Sequence, residues 1–228
     1  LRNSADSVTL QFALRTDKAA TANILAVFGE PRQPGVLLSA HWDGVGIVDG
    51  EITQGASDNA AGVAVVLWVA DQLRRDAEAG RLKKPVVVAL FGGEEAGLLG
   101  SRQFADALRS PQCPIAKPLA AINVDGIGGG KDRTVYVIGR SHHGKLFDLV
   151  QPRLAKEGLV VGRDIDKFAF PRGSDHWPLH QAGIPAITLF GTDYRGMNGP
   201  QDTLDKVDVG MLRKTARAVY RSVRELAK

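Results

Sequence analysis

The stretch VVVALFGGEEAGLLG, Val86 to Gly100, carries a run of strand-forming apolar residues onto two glycines and then sets two glutamates side by side. A continuous apolar run behind Pro85 reads as a buried strand, and EAGLLGSRQFADALR beyond it has helical spacing. A buried strand that feeds a helix is the repeating unit of a parallel sheet, so this segment points to an α/β fold. The glutamates raise a separate question, because an unpaired charge at the mouth of a buried strand is costly to desolvate. Two answers are open at this point: acid that favours the start of the following helix, or a site that holds a cation.

The flanking sequence repeats the strand-and-helix alternation. Upstream, VTLQFALRT (Val8 to Thr16) and NILAVFG (Asn23 to Gly29) alternate apolar positions and predict a hairpin or meander. GVLLSAHWD reads as a more buried strand, and DNAAGVAVVLWVADQLRRDAEAG as a helix with a glycine stop at Gly80. Its aliphatic stripe, Val63, Val66, Leu67 and Ala70, predicts core packing. Downstream, LAAINVD and RTVYVIG predict strands and GKLFDLVQPRLAKEG a helix. A loop-rich stretch follows, then the strand PAITLF and a last helix over roughly Val207 to Ala227. The order implies a mostly parallel sheet covered by helices on both faces.

The 228 residues, 44% hydrophobic and 24% charged, suit one α/β domain spanning residues 1–228. The net charge of +4 comes largely from MLRKTARAVYRSVRELAK, which reads as a solvated basic helix face. Neither an aromatic-interleaved basic cluster nor zinc-finger spacing is present, so no nucleic-acid partner is expected. No apolar run approaches the roughly 20 residues needed to span a bilayer. Cys113 has no partner cysteine and reads as a packing residue. The chain opens on Leu1, which suggests a trimmed chain or one domain of a longer one.

Four polar clusters fall where such a sheet places its ligands, beyond the carboxyl ends of the strands. His41 and Asp43 end one strand, Glu94 and Glu95 follow the next, Asp125 ends LAAINV, and Asp58 opens the first long helix. Collected on one edge, Asp58, Glu94, Glu95 and Asp125 would repel one another unless a cation sat among them. His41 adds an imidazole, and a mixed histidine and carboxylate set suits zinc or a similar first-row ion. Residues two apart on a strand face the same side, so Asp43 is expected to accept the second ring N–H of His41 and fix its tautomer. Within the glutamate pair, one carboxylate can bind metal while the other takes a proton from the water that attacks a carbonyl.

In this order and at these spacings, HWD, GASDNAAG, FGGEEAGLLGS, NVDGIG, GSDHWPLHQAGIPA and PQDTLDKVD resemble the M28 family of zinc metallopeptidases, the co-catalytic dizinc aminopeptidases. The resemblance runs from about Asn23 to Asp208 and implies a mixed, largely parallel central sheet in a three-layer arrangement. It implies two zinc ions and a peptide substrate, hydrolysed by release of its N-terminal residue. His41 and Asp125 would hold one ion, Asp58 would bridge both, Glu95 would hold the second, and Glu94 would be the general base. The family's last ligand is a histidine in a segment that usually reads Tyr-His-x-Pro-x-Asp-Thr. Here that segment is MNGPQDT, which puts Asn198 at the histidine position and implies a second site that is weakened or empty. Ser174, Asp175 and His176 are expected to line the substrate.

Two other functions stay open on the same resemblance. One is a non-catalytic binding or receptor-like domain, favoured by Asn198; the other is a glutaminyl-cyclase-like acyl transferase. The cyclase relatives use one zinc held by Asp, Glu and His, and the histidine of that trio is the one replaced here. DGEITQGASDNAAG is similar to the same stretch in members with a protease-associated domain, which predicts a further region outside this chain and a periplasmic or secreted setting. Of the remaining histidines, His142 and His143 read as an exposed loop or helix start. His176 and His180 have the i, i+4 spacing of a helical metal pair, but Pro178 between them argues against a helix there. DGIGGGKD lacks the spacing and the hydroxyl of a phosphate loop and reads as a turn after Asp125.

Overall fold

The computed structural model describes residues 20–129, 131–166, 173–191 and 196–228. The strand expected at Val8 to Thr16 lies outside these residues. Nine strands form among them: β1 (Ile24–Phe28), β2 (Val36–His41), β3 (Ile47–Val48), β4 (Glu51–Ile52), β5 (Val86–Phe91), β6 (Ala120–Ile127), β7 (Thr134–Ile138), β8 (Val160–Val161) and β9 (Ala186–Gly191). The helices are α1 (Ala61–Glu78), α2 (Leu99–Ala107), α3 (Gly144–Lys156), α4 (His176–Gln181) and α5 (Val209–Leu226). Seven strands make one sheet in the order β1-β5-β2-β6-β9-β7-β8, and β3 pairs with β4 apart from it. β5, β2, β6 and β9 run parallel, whereas β1 is antiparallel to β5 and β7 is antiparallel to β9. The sheet is therefore mixed, with a parallel centre.

Side-chain alternation divides this centre into two cores. Val36, Leu38 and Ala40 of β2 and Val86 and Val88 of β5 pack with buried residues of α1, α3 and α5. Leu37, Val87, Ala89 and Phe91, pointing the other way, pack with Phe104 of α2 and Leu179 of α4. Helix α1 supplies Val65, Val66, Val69 and Leu73 to the first core. Burying each such side chain contributes roughly 1.5–3 kcal/mol before chain entropy is counted. The expected stripe is rotated in part, since Leu67 is half exposed and Val66 lies at its centre.

Two expected elements change. Helix α2 begins only at Leu99, because Gly97 at φ 103° and Leu98 at φ 62° interrupt the right-handed conformation after the glutamates. Glu94 and Glu95 thus sit in a turn ahead of the helix rather than on its first residues. Conversely, a helix does form across Pro178, whose place in the first turn of α4 requires no backbone N–H donor.

The basic face of α5 is also less solvated than its sequence implies. Arg217 and Arg221 both pair with Glu157 at the end of α3. Arg224 reaches the buried carboxylate of Asp76 on α1 at 3.1 Å, where Tyr220 and Arg81 also bond.

Candidate metal centre

The carboxyl ends of the parallel strands bring the distant polar clusters together. His41 closes β2, and the Trp42 amide donates to the Phe91 carbonyl at 2.9 Å, tying that end to the end of β5. Asp125 lies near the end of β6, where the pairing with β9 shifts register between Val124 and Ile127. A bulge of this kind re-aims a side chain. Gly126 takes φ 60° at the irregularity, and a Cβ there would come within 2.5 Å of the Phe190 ring.

Asp58 is presented by the turn Ala56–Ala60 ahead of α1, with Asp58 itself at φ −126° and the Asp58–Asn59 peptide cis. The turn is held from two sides. Asp202 accepts the Ser57 amide at 2.7 Å and the Asp58 amide at 3.0 Å. Asn59 donates to the Val124 carbonyl at 3.0 Å and accepts the Gly126 amide at 3.3 Å. Neither Asp202, within PQDT, nor Asn59, within GASDNAAG, is among the functional residues expected from the sequence. Each sits in a short polar run beside a glycine or proline, where a side chain that replaces backbone partners is common.

His41 Nε2 lies 3.1 Å from Asp125 Oδ1 and 3.0 Å from Asp58 Oδ1. One ring N–H cannot serve two carboxylates: its hydrogen bond goes to Asp125, and the buried Asp58 Oδ1 is left without a partner, as is Glu95 Oε1. Donor atoms of His41, Asp58 and Asp125 fall within 4.8 Å of one another, and so do those of His41, Glu94 and Glu95. Orphaned buried carboxylate oxygens around an imidazole fit a divalent cation of zinc type.

The charges read the same way. Burial works against a protonated His41, but Asp125, Asp43 and Asp58 outweigh it and raise the ring's pKa above its ordinary value. Burial raises Asp58 and pushes Glu94 up to about 9 and Glu95 up to about 7, with neighbouring acids adding to each. Asp125, though buried, is held below the usual carboxylate range by His41 and Ser174.

The expected role of Asp43 needs correction. His41 Nδ1 faces the main-chain carbonyl of Asp43 at 3.2 Å, while the carboxylate is 3.7 Å away. That carboxylate instead accepts the Glu94 amide at 3.0 Å and the Glu95 amide at 3.2 Å. Burial works to raise the pKa of this carboxylate, but His41 and the two amide bonds outweigh it and hold it below the ordinary value. The strand end after His41 turns, which breaks the simple two-residue alternation and points the side chain at the glutamate turn.

A cavity of about 230 Å³ opens onto the site, with Asp58, Glu94, Glu95, Asp125 and Asn198 among its polar walls. Ile138, Phe190 and Met197 form an apolar side. Of the three residues expected to line substrate, Ser174 faces this cavity and donates to Asp125 Oδ2 at 2.5 Å. Asp175 and His176 do not face it, because they open α4 and turn inward with that helix. His176 Nδ1 meets Thr188 Oγ1 at 2.8 Å. Burial pushes Asp175 up to about 7; the Ser101 hydroxyl works against the shift, though its own bond goes to the Leu98 carbonyl. Beneath Asp125, Asn123 joins Ser39, Ser174 and Thr188 in a buried hydrogen-bond network that hydropathy patterning did not reveal.

The sequence pattern of Peptidase family M28 matches residues 23–223. A probable leucine aminopeptidase of Arthroderma otae is 26% identical over 84% of this chain and 54% of its own length. Aminopeptidase YwaD of Bacillus subtilis is 26% identical over 85% of this chain and 41% of its own. The chain thus spans about half the length of the curated relatives it matches. Among solved structures, glutaminyl cyclase of Porphyromonas gingivalis superposes with a TM-score of 0.74 at 25% identity, over 89% of this chain and 77% of that one. BSAP, a zinc aminopeptidase from Bacillus subtilis, gives 0.67 at 24% identity, over 90% and 50%.

Proposed function

The chain belongs to peptidase family M28, and from that premise we propose that it is a zinc-dependent aminopeptidase domain. The observation that carries this reading is the pair of overlapping donor groups centred on His41, with Asp58 Oδ1 and Glu95 Oε1 buried and unpartnered between them. His41, Asp58 and Asp125 would hold one zinc ion; Asp58, Glu95 and Asn198 would hold a second more weakly, since an amide oxygen is a poorer zinc donor than imidazole. Bound zinc supplies Lewis acidity toward the scissile carbonyl oxygen.

The chain's own groups do the rest. Glu94, held at its amide by Asp43, takes a proton from the attacking water and returns it to the leaving amine. Its pKa near 9 belongs to a site crowded with acid, and cations among those acids lower it toward the working range of a base. Asp202 and Asn59 fix the turn that presents Asp58, and Ser174 fixes Asp125. Ile138, Phe190 and Met197 suit an apolar side chain at the substrate's first residue.

The test is hydrolysis of a panel of free and N-acetylated short peptides by the purified chain, as isolated, after chelation and after adding zinc back. Cleavage of free N-termini alone, lost with chelation and restored by zinc, is expected, with leucine ahead of aspartate at the first position. The superposition on a glutaminyl cyclase favours a second reading, so the panel includes peptides with N-terminal glutamine. Ammonia release from these, with no cleavage of the others, would replace peptidase by cyclase. No turnover by folded, zinc-loaded chain would leave a binding domain.

A further inference from the structure

Three of the chain's five histidines meet away from the metal centre. His142 and His143 stand in the turn between β7 and α3, and His180 in the last turn of α4. His143 Nε2 lies 2.9 Å from His180 Nδ1. The His142 ring stacks on that of His180 at 4.8 Å, tilted by 35°, and Trp177 packs against the same ring at 5.1 Å.

Both supporting segments are anchored. The Asp166 carboxylate accepts the Gly139 amide, the Ser141 amide and the Ser141 hydroxyl, all within 2.8 Å, and the Gly139 carbonyl accepts the amides of His142 and His143. Helix α4 is fixed by Leu179, which is fully buried. Burial and the neighbouring imidazoles push His143 below its ordinary pKa, and burial and His142 do the same to His180. Both shifts favour the neutral form of His143 and His180, in which a ring nitrogen carries a free lone pair.

We propose that this cluster is a second metal site, in which His143 Nε2 and His180 Nδ1 bind a late first-row divalent ion and His142 rotates in as a third imidazole. An all-nitrogen set of neutral imidazoles selects zinc, nickel or copper over calcium or magnesium, which require oxygen donors. Two nitrogens on a tetrahedral ion at about 2.0–2.1 Å stand about 3.3 Å apart, so the His143–His180 contact need open by only about 0.4 Å. No proton is lost overall: each ring carries its N–H on the nitrogen away from the ion. The ion would clamp the β7–α3 turn to α4, the helix that follows Ser174.

The test titrates nickel, followed by calorimetry, into zinc-loaded protein dialysed until elemental analysis gives it no more zinc than the His143→Gln variant retains, so that the histidine cluster is empty at the start. One nickel site per chain is expected, weakened at least ~10-fold in His143→Gln, in His180→Gln and in His142→Ala, since loss of a group that only orients a ligand already costs a metal site ~10–100-fold. Circular dichroism and the melting temperature establish that each variant is folded. A second readout is independent of substitution: nickel should broaden the imidazole resonances of His143 and His180 and spare that of His41. No added nickel site, unchanged affinity in both glutamine variants, or broadening confined to His41 would overturn the proposal. Unchanged affinity in His142→Ala would remove the third ligand. Nickel binding is read without turnover, so this result and the peptidase result stand separately.

Discussion

Glu94 and Glu95 are neighbours in sequence, yet burial lifts Glu94 further, and only Glu95 has a buried oxygen with no partner. A ligand needs an open lone pair, whereas a base needs a carboxylate left off the metal. Glu94→Gln keeps the size and loses the proton acceptor, so turnover should fall by ~10²–10⁴. Zinc content, measured by elemental analysis, should stay at the wild-type level; a fall of less than tenfold would remove Glu94 from the role. Asn198, on the cavity wall at φ 59°, offers the opposite experiment. Asn198→His supplies the neutral nitrogen donor, and equilibrium dialysis should show a second zinc ion held more tightly. Asp202→Ala releases the Ser57 and Asp58 amides and should weaken zinc binding by ~10–100-fold, as for other groups that orient a ligand. Zinc affinity equal to wild type in that variant would show that the turn holds its shape without Asp202.

At the scale of elements, the parallel strands were legible because VVVALF is apolar throughout and GVLLSAH is apolar but for Ser39 and His41, the near-continuous apolar run of a strand buried on both faces. The meeting of His41, Asp58, Asp125, Glu94 and Glu95 was legible for a related reason, since the carboxyl ends of adjacent parallel strands lie at one sheet edge. Local breaks in the pattern were less so. The start of α2 was placed too early because EAGLLG keeps helical spacing while Gly97 and Leu98 leave the helical conformation. The two-residue strands β3, β4 and β8 are too short for any periodicity to register. Strand alternation does not reach Asp43, because β2 ends two residues before it, at His41. The anchoring of α5 through Asp76 was hidden because a single aspartate in QLRRDAEAG looks like any exposed helix acid, whereas it is 2% exposed. It collects Arg81, Arg224 and Tyr220 and so joins α1, α5 and the loop after α1. Asp76→Ala should therefore lower stability by about 2 kcal/mol, less than for a fully buried pair because both arginines remain half exposed. Urea unfolding that gives a midpoint within error of wild type would mean the arginines find water as readily as Asp76.

For the whole molecule, the crowding of acid at one sheet edge sets how stability depends on pH. Without metal, burial raises Glu95 and Asp175 to about 7 and Glu94 to about 9, from ordinary values of 4.5, 3.8 and 4.5. His41 is raised as well, by the acids around it and against the effect of burial. In each case the folded chain holds a proton that the unfolded chain has lost, so unfolding releases protons and stability falls as pH rises. The carboxylates act from about pH 4–5 upward and His41 from about pH 6.5 upward, so the slopes add rather than cancel. Asp43 and Asp125, shifted the other way, act only below about pH 4. Zinc reverses the balance, since ligand carboxylates and imidazole must give up their protons to bind it, and affinity increases with pH over the same window. The melting temperature of the chelated protein should then fall between about pH 5.5 and 8, while the gap between zinc-loaded and chelated protein widens. Calorimetric scans of both forms across that range decide it: a chelated protein that grows more stable toward pH 8, or a gap that stays constant, would show that the buried acids are not neutral without metal, and the case for a cation among them would lose its electrostatic basis.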